Sequence, residues 1–299
     1  MGEYSGTTVA VVGASGFIGR WVARKLAEEG ARVCAIGRAD TERLDDIYRL
    51  QKPSITFNLA GYGIDPREHD TAAADFVNAC VPRILAEKAA AWRNPAWPGQ
   101  HFVHVGSGAE YGDAGGDLRE DGPTHPGTLY ARTKWRGTMA VADAAKTSGL
   151  RAAIARLFTV YGPGERAGRL LPSLLETVRS GRPLDLSSGT QRRDFTYVED
   201  AAEGLLKLGL VRGAPCGIVN LATGKLTTVR TFVETAAGIL RMPPESLKFG
   251  AIPANVHEMR HDSITLDRLI KLVRWIPPTT IAEGVRKTVE SGLLKERKP

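Results

Sequence analysis

A glycine-rich turn near the start of the chain constrains the fold more than any other feature. Thr8-Val9-Ala10-Val11-Val12 is apolar without alternation, as a parallel strand buried on both faces is. Gly13-Ala14-Ser15-Gly16-Phe17-Ile18-Gly19 follows it directly. Glycines three apart at a strand-to-helix turn let the backbone bend sharply and approach a diphosphate. They also pack the next helix closely on the sheet, with its N-terminal N–H groups aimed at the anion. The spacing is GxxGxxG rather than the commoner GxGxxG, and glycines also mark ordinary turns. Its place between a buried strand and an amphipathic helix is what points to a dinucleotide. Gly13, Ser15, Gly16, Phe17, Ile18 and Gly19 are the candidate residues for it.

The rest of the first half repeats the same alternation. A helix is predicted from about Phe17 to Glu29, ended by Gly30. Strands Arg32–Ile36 and Ile55–Ala60 follow, then a long helical stretch from Asp70 to Trp92 and strand His101–Val105. A helix from about Tyr130 to Thr147 and strand Ala152–Arg156 complete the series. Short apolar strands alternating with helices predict an α/β fold, a Rossmann-type doubly wound parallel sheet. The connection between the second strand and the next is barely long enough for one helix, so a strand often found there is expected to be missing. Beyond Tyr161-Gly162-Pro163-Gly164 the alternation weakens. Helix Leu171–Ser180, a short strand at Leu184–Leu186, helix Val198–Leu210, strand Val219–Leu221 and helices from Thr228 and Ile281 are expected there.

Composition excludes several classes. With 299 residues, 42% hydrophobic and 24% charged, the chain is neither disordered nor collagen-like. Cys34, Cys80 and Cys216 are an odd number without metal-like spacing, as expected of reduced thiols. The 40 basic against 33 acidic residues give +7. No block of like cations and no zinc-finger or RNA-binding signature accompanies the surplus, so nucleic acid is not expected; a solvated basic surface or small anionic ligands such as phosphates account for it. No apolar run approaches the ~18 residues of a membrane span, and Met1-Gly2-Glu3-Tyr4 lacks a signal-peptide start. A soluble, cytoplasmic protein without membrane contact is the expectation.

At the end of the second strand an acid normally accepts the ribose hydroxyls of NAD. Here Gly37 stands in that place and Arg38 follows. A missing carboxylate removes repulsion of a 2′-phosphate, which Arg38 could grip with a charge-assisted fork. NADP(H) is therefore favoured over NAD(H); in the alternative, Arg38 is a solvated loop residue and Asp40 serves the ribose.

Tyr130-Ala131-Arg132-Thr133-Lys134 places Tyr130 and Lys134 on one helix face. An ammonium beside a phenol stabilises the phenolate and lowers its pKa, so the pair can move protons at a carbinol or carbonyl. Ser107 lies just past a strand, at the carboxyl edge where such sheets bind ligands, and its hydroxyl can reach the same substrate oxygen. YxxxK alone also occurs as a surface pair.

With these motifs the chain resembles the extended short-chain dehydrogenase/reductases, the NAD(P)-dependent epimerase/dehydratase branch that acts on nucleotide sugars. The resemblance also rests on Asn58-Leu59-Ala60-Gly61, Asn78, Ser107-Gly108-Ala109-Glu110-Tyr111-Gly112 and Arg156-Leu157-Phe158-Thr159-Val160-Tyr161-Gly162-Pro163. Arg192-Arg193-Asp194-Phe195-Thr196-Tyr197-Val198-Glu199-Asp200 and Arg274-Trp275-Ile276-Pro277 extend it. It implies a cofactor domain over residues 1–163, with a returning segment about 194–224. A smaller, mainly C-terminal substrate-binding lobe would take 164–193 and 225–299. It implies catalytic roles for Ser107, Tyr130 and Lys134, and cofactor contacts for Leu59, Ala60, Gly61, Asn78 and Leu157. Arg193 and Arg260 match the arginines that grip the substrate diphosphate; Thr159 is a further candidate for the substrate, as is Glu110, which in the alternative is only structural, since acids on loops need no catalytic role. Thr159 stands where many members carry Asn. The family's 4,6-dehydratases place an Asp-Glu pair where this chain has Gly108-Ala109. The resemblance therefore implies a 4-ketoreductase of a nucleotide-activated 4-keto-6-deoxyhexose, with a nucleotide-sugar 4-epimerase holding tightly bound NAD as the alternative. A non-catalytic dinucleotide sensor would lack the Tyr/Lys pair. A homodimer through the helices around Asp70–Trp92 and Tyr130–Thr147 is likewise a family expectation.

Overall fold

A computed structural model describes residues 2–64, 67–253 and 261–296. In chain order the first half runs β1 (Thr8–Val12), α1 (Phe17–Glu28), β2 (Arg32–Ile36), α2 (Leu44–Gln51), β3 (Ile55–Asn58), α3 (Thr71–Asp75), α4 (Val81–Ala91) and β4 (Phe102–Ser107). It continues with β5 (Asp117–Leu118), α5 (Leu129–Ser148), β6 (Ala152–Leu157) and β7 (Thr159–Tyr161). The second half adds α6 (Leu170–Ser180), β8 (Leu184–Leu186), β9 (Arg192–Tyr197), α7 (Val198–Leu210), β10 (Gly217–Leu221) and β11 (Leu226–Thr228). It ends with α8 (Val229–Leu240), β12 (Leu247–Phe249), β13 (Ser263–Ile264), α9 (Asp267–Val273) and α10 (Ile281–Glu296).

Six strands form one sheet in the order β10-β6-β4-β3-β1-β2, every pair parallel. The doubly wound sheet expected from the alternation is present. Its logic is visible in β1: Val9 and Val11 enter one core with α1 and α7, while Ala10 and Val12 enter the opposite core with α2, α4 and α5. Period-two side chains therefore need an apolar residue at every position. The sheet ends at β2, and only a 3-10 turn (Arg38–Arg43) and α2 join β2 to β3, so the strand expected to be missing is absent. Among the described residues no helix is long and apolar enough to cross a membrane.

The helix read as continuous from Asp70 is interrupted. Asp70 caps α3, its Oδ1 accepting the Ala73 N–H at 3.0 Å. A π-helical turn, Phe76–Cys80, then joins α3 to α4. Such bulges recur at functional sites, and this one carries Asn78. A second sheet, β11-β9-β7, was not legible in the sequence. Arg192-Arg193-Asp194 reads as polar, yet Asp194 is buried. Its carboxylate is satisfied by the N–H groups of Thr223 at 3.0 Å and Lys225 at 3.1 Å and by the Thr223 hydroxyl at 2.8 Å. Around this sheet α8 packs against both α6 and α10.

Candidate active site

The glycine turn is shaped for a close anion. Gly13 has φ +78°, a left-handed conformation that strains any residue with a Cβ. A Cβ there would stand 3.0 Å from the backbone nitrogen of Ala60. A Cβ on Gly19 would run into the Gly13 carbonyl oxygen, so α1 can lie this close to the turn only as glycine. Gly16 is the N-cap of α1 and brings no capping side chain, so the first-turn N–H groups, unpartnered within a helix, face outward as an anion site. Ser15 and Gly16 are exposed, Phe17 and Ile18 half-buried. The loop after β3 closes the cradle: the Leu59 N–H donates to the Val12 carbonyl at 3.0 Å and the Ala60 N–H to Asn58 Oδ1 at 3.2 Å. A dinucleotide diphosphate fits these residues.

Arg38 opens a 3-10 turn directly after β2 and is exposed. Asp40, the alternative ribose ligand, is folded back, with Oδ2 accepting the Gly37 N–H at 2.8 Å.

Ser107 ends β4, and Thr128 starts α5, its hydroxyl accepting the Ala131 N–H at 3.1 Å, which puts Tyr130 in the first helical turn. Ser107 lies close enough to Tyr130 for its hydroxyl to favour the ionised phenol. Leu157 is the register partner of Ser107 on β6 and lies beside it. Lys134 is 2% exposed and donates from Nζ to the Val105 carbonyl at 2.6 Å. Burial pushes its ammonium down to about 8. The phenol of Tyr130 is pushed above its usual value by burial, which outweighs the influence of Ser107. This corrects the expectation that Lys134 lowers the Tyr130 pKa: here the ammonium is engaged by a carbonyl, and desolvation governs the phenol.

Two further expectations need correction. Glu110 is not exposed to a substrate; it is fully buried and both carboxylate oxygens are taken by the protein. Asn78 is also fully buried. Its amide donates to the Tyr62 carbonyl at 2.8 Å and the Thr133 hydroxyl at 2.9 Å, while Oδ1 accepts the Tyr62 N–H at 3.0 Å. It clamps the cofactor-side loop to α5 and has no polar atom left for a ligand. Thr159 and Arg193 are half-buried on the adjacent strands β7 and β9, where Thr159 pairs with Phe195. Arg260 lies outside the described residues. Gly108 sits against the Phe158 ring, where a Cβ would approach to 2.6 Å, so the position after Ser107 has no room for a side chain.

Residues 9–222 match the NAD dependent epimerase/dehydratase family. The chain belongs to this family. Among curated epimerase/dehydratase relatives, the dTDP-6-deoxy-L-talose 4-dehydrogenase (NAD(P)(+)) of Kitasatospora kifunensis is 27% identical over 93% of both chains. The probable UDP-glucuronate 4-epimerase of Rhizobium meliloti (strain 1021) is 25% identical over 94% of this chain and 95% of its own. Among solved structures, MoeE5 in complex with UDP-glucose and NAD superposes with a TM-score of 0.84 at 26% identity, covering 97% of this chain and 99% of that one.

Arg156 belongs to one of the motifs that carry the resemblance, and the motif does not disclose its task. The signal was present: a lone cation in an otherwise apolar strand has to find a buried acid, and Glu110 is that acid, at 2.9 Å.

Proposed function

We propose that the protein is an NAD(P)H-dependent 4-ketoreductase of a nucleotide-activated 4-keto-6-deoxyhexose. The observation that carries this reading is the nearness of Ser107, at the carboxyl end of β4, to Tyr130 in the first turn of α5, beside a glycine packed against the Phe158 ring. One proton donor serves one carbon, and Gly108-Ala109 offers none of the acid–base groups that dehydration needs at neighbouring carbons. Ser107 orients the C4 carbonyl by donating to its oxygen, and Tyr130 delivers the proton to that oxygen as negative charge develops. Lys134 holds the ribose. The dinucleotide, when bound in the glycine cradle, supplies the hydride. The lobe of residues 164–193 and 225–299, with Thr159, Arg193 and Arg260, takes the nucleotide sugar.

The test is turnover. Purified protein is expected to consume NADPH with 4-keto-6-deoxyhexoses linked to dTDP, GDP, UDP or CDP, and no consumption with any of them would sink the reading. The 4-epimerase alternative uses the same three residues and draws support from the relative of that name and from the solved neighbour with NAD. Tightly bound NAD in the purified protein, with interconversion of C4 epimers and no reductant consumed, would establish it instead.

The cofactor preference has its own measurement. Arg38→Ala is expected to raise the Kd of NADPH by about 10- to 100-fold, the worth of a hydrogen bond to a charged group, and to leave that of NADH unchanged. Equal effects on both cofactors would place the 2′-phosphate elsewhere.

A further inference from the structure

One carboxylate ties together the elements that carry the candidate site. Oε1 of Glu110 accepts the backbone N–H of Ser107 at 2.7 Å and the Thr138 hydroxyl, on α5, at 2.9 Å. Oε2 accepts Nε–H of Arg156, on β6, at 2.9 Å. Gly106 makes the room, since a Cβ there would stand 2.8 Å from Oε1. Arg156 is 1% exposed and lays its guanidinium over the Tyr111 ring at 4.5 Å. The Tyr111 hydroxyl in turn donates to Asn220 Oδ1, on β10, at 2.7 Å. A buried ion pair is a weak device for stability alone, because desolvating both charges offsets most of their attraction. Its placement under the reacting groups points to a different use.

We propose that Glu110, held by Arg156, is a positioning residue for the reaction: it locks Ser107 against the catalytic helix and sets a permanent negative charge near Tyr130 and Lys134. The proposal rests on the reading of Ser107, Tyr130 and Lys134 as the reacting set. The bond to the Ser107 N–H fixes the backbone from which that hydroxyl projects. The bond to Thr138 fixes α5 one helical turn beyond Lys134.

The charge also acts in a definite direction. Burial lowers the Lys134 pKa and Glu110 opposes it; burial raises the Tyr130 pKa and Glu110 adds to it. Of the other groups nearby, Arg169 at the start of α6 acts on Tyr130 in the opposite sense. His104, on β4, is kept neutral by burial and by Lys134, while Arg156 and Tyr111 face Glu110 itself. Without Glu110 both Tyr130 and Lys134 lose their protons at lower pH, and the proton-loaded form that a reductase needs is confined to a more acid range.

Glu110→Gln alone leaves Arg156 buried and unpaired, so the informative variant is the double substitution Glu110→Gln with Arg156→Gln. Its kcat, KM and pH profile are compared with wild type and with Arg156→Lys. Tyr130 is titrated by ultraviolet difference between each background and the same background carrying Tyr130→Phe. The folded double variant is expected to lose about tenfold or more in kcat, with KM changed by less than about threefold. Its falling limb of kcat/KM and its phenolate titration should both move to lower pH by about half a unit or more. Arg156→Lys keeps the opposite charge and should keep the wild-type limb even where kcat falls. A purely structural role would lower the melting temperature and leave the limb in place. A folded double variant with wild-type limb and phenolate titration overturns the proposal. Failure of the wild type to turn over any nucleotide sugar would refute the functional reading, and the phenolate titration would still decide the role of Glu110.

Discussion

Tyr130→Phe is expected to lower kcat by about 10²- to 10⁴-fold, the span that a positioned proton donor contributes, while the Kd for the dinucleotide stays at its wild-type value. The ring is kept, so the packing of α5 over the cradle survives, and Lys134 retains its bond to the Val105 carbonyl. What disappears is the hydroxyl that would give its proton to the substrate oxygen. The pH profile of the wild type adds a second handle. The useful form of Lys134 is protonated, so it is present below its pKa and lost above it. With that pKa pushed down to about 8 by burial in the free enzyme, kcat/KM should fall as pH rises through about 8, since this ratio reports groups of the free enzyme. Tyr130 is shifted the other way, above its usual value, so its own loss as a donor comes at higher pH. A phenylalanine variant that keeps more than about a tenth of wild-type turnover would move the proton donor to another residue.

The largest effect on binding is expected from Gly19→Ala. The new methyl collides with the Gly13 carbonyl oxygen, and α1 cannot simply retreat, because Trp21, Val22 and Leu26 hold it in the core. The strain therefore falls on the turn that receives the diphosphate. Overpacking of this kind costs about 1–3 kcal/mol of stability, visible as a lower Tm. The sharper readout is ligand-dependent: a saturating dinucleotide raises the Tm of a protein that binds it only when folded, and the variant should show no such rise. A cofactor-induced shift equal to wild type would mean that the cradle does not carry the diphosphate.

Much of this architecture was legible because its causes are local. Buried parallel strands are apolar on both faces, and β1 could be read for that reason, as could a helix ended by Gly30. The small sheet escaped because its strands hold together by long-range pairing. β7 has three residues, and β9 opens with two arginines and an aspartate that becomes tolerable only when Thr223 and Lys225, far along the chain, turn their N–H groups toward it. At the site, the described residues named from motifs do not always take the expected posture. Asn78 and Glu110 carry the right chemistry to touch a ligand, and nothing in their spacing says that their polar atoms are already spent on Tyr62, Thr133, Ser107, Thr138 and Arg156. Burial also reverses the expected sign at Tyr130. Desolvation depends on what surrounds a side chain in three dimensions, and an i, i+4 pair of residues carries no information about it.

The position of β2 at the edge of the sheet has a kinetic consequence. On the far side of Arg38 there is no additional strand and crossover to wall off the end of the dinucleotide that carries the 2′ substituent. Less of the cofactor is enclosed, and fewer contacts must break for it to depart. For a reductase this is an advantage, since spent cofactor has to leave once in every cycle. An enzyme that recycles one resident molecule would gain from the opposite arrangement. On the proposed reading, the short connection between β2 and β3 would shorten the stay of the dinucleotide, as its use as a second substrate requires.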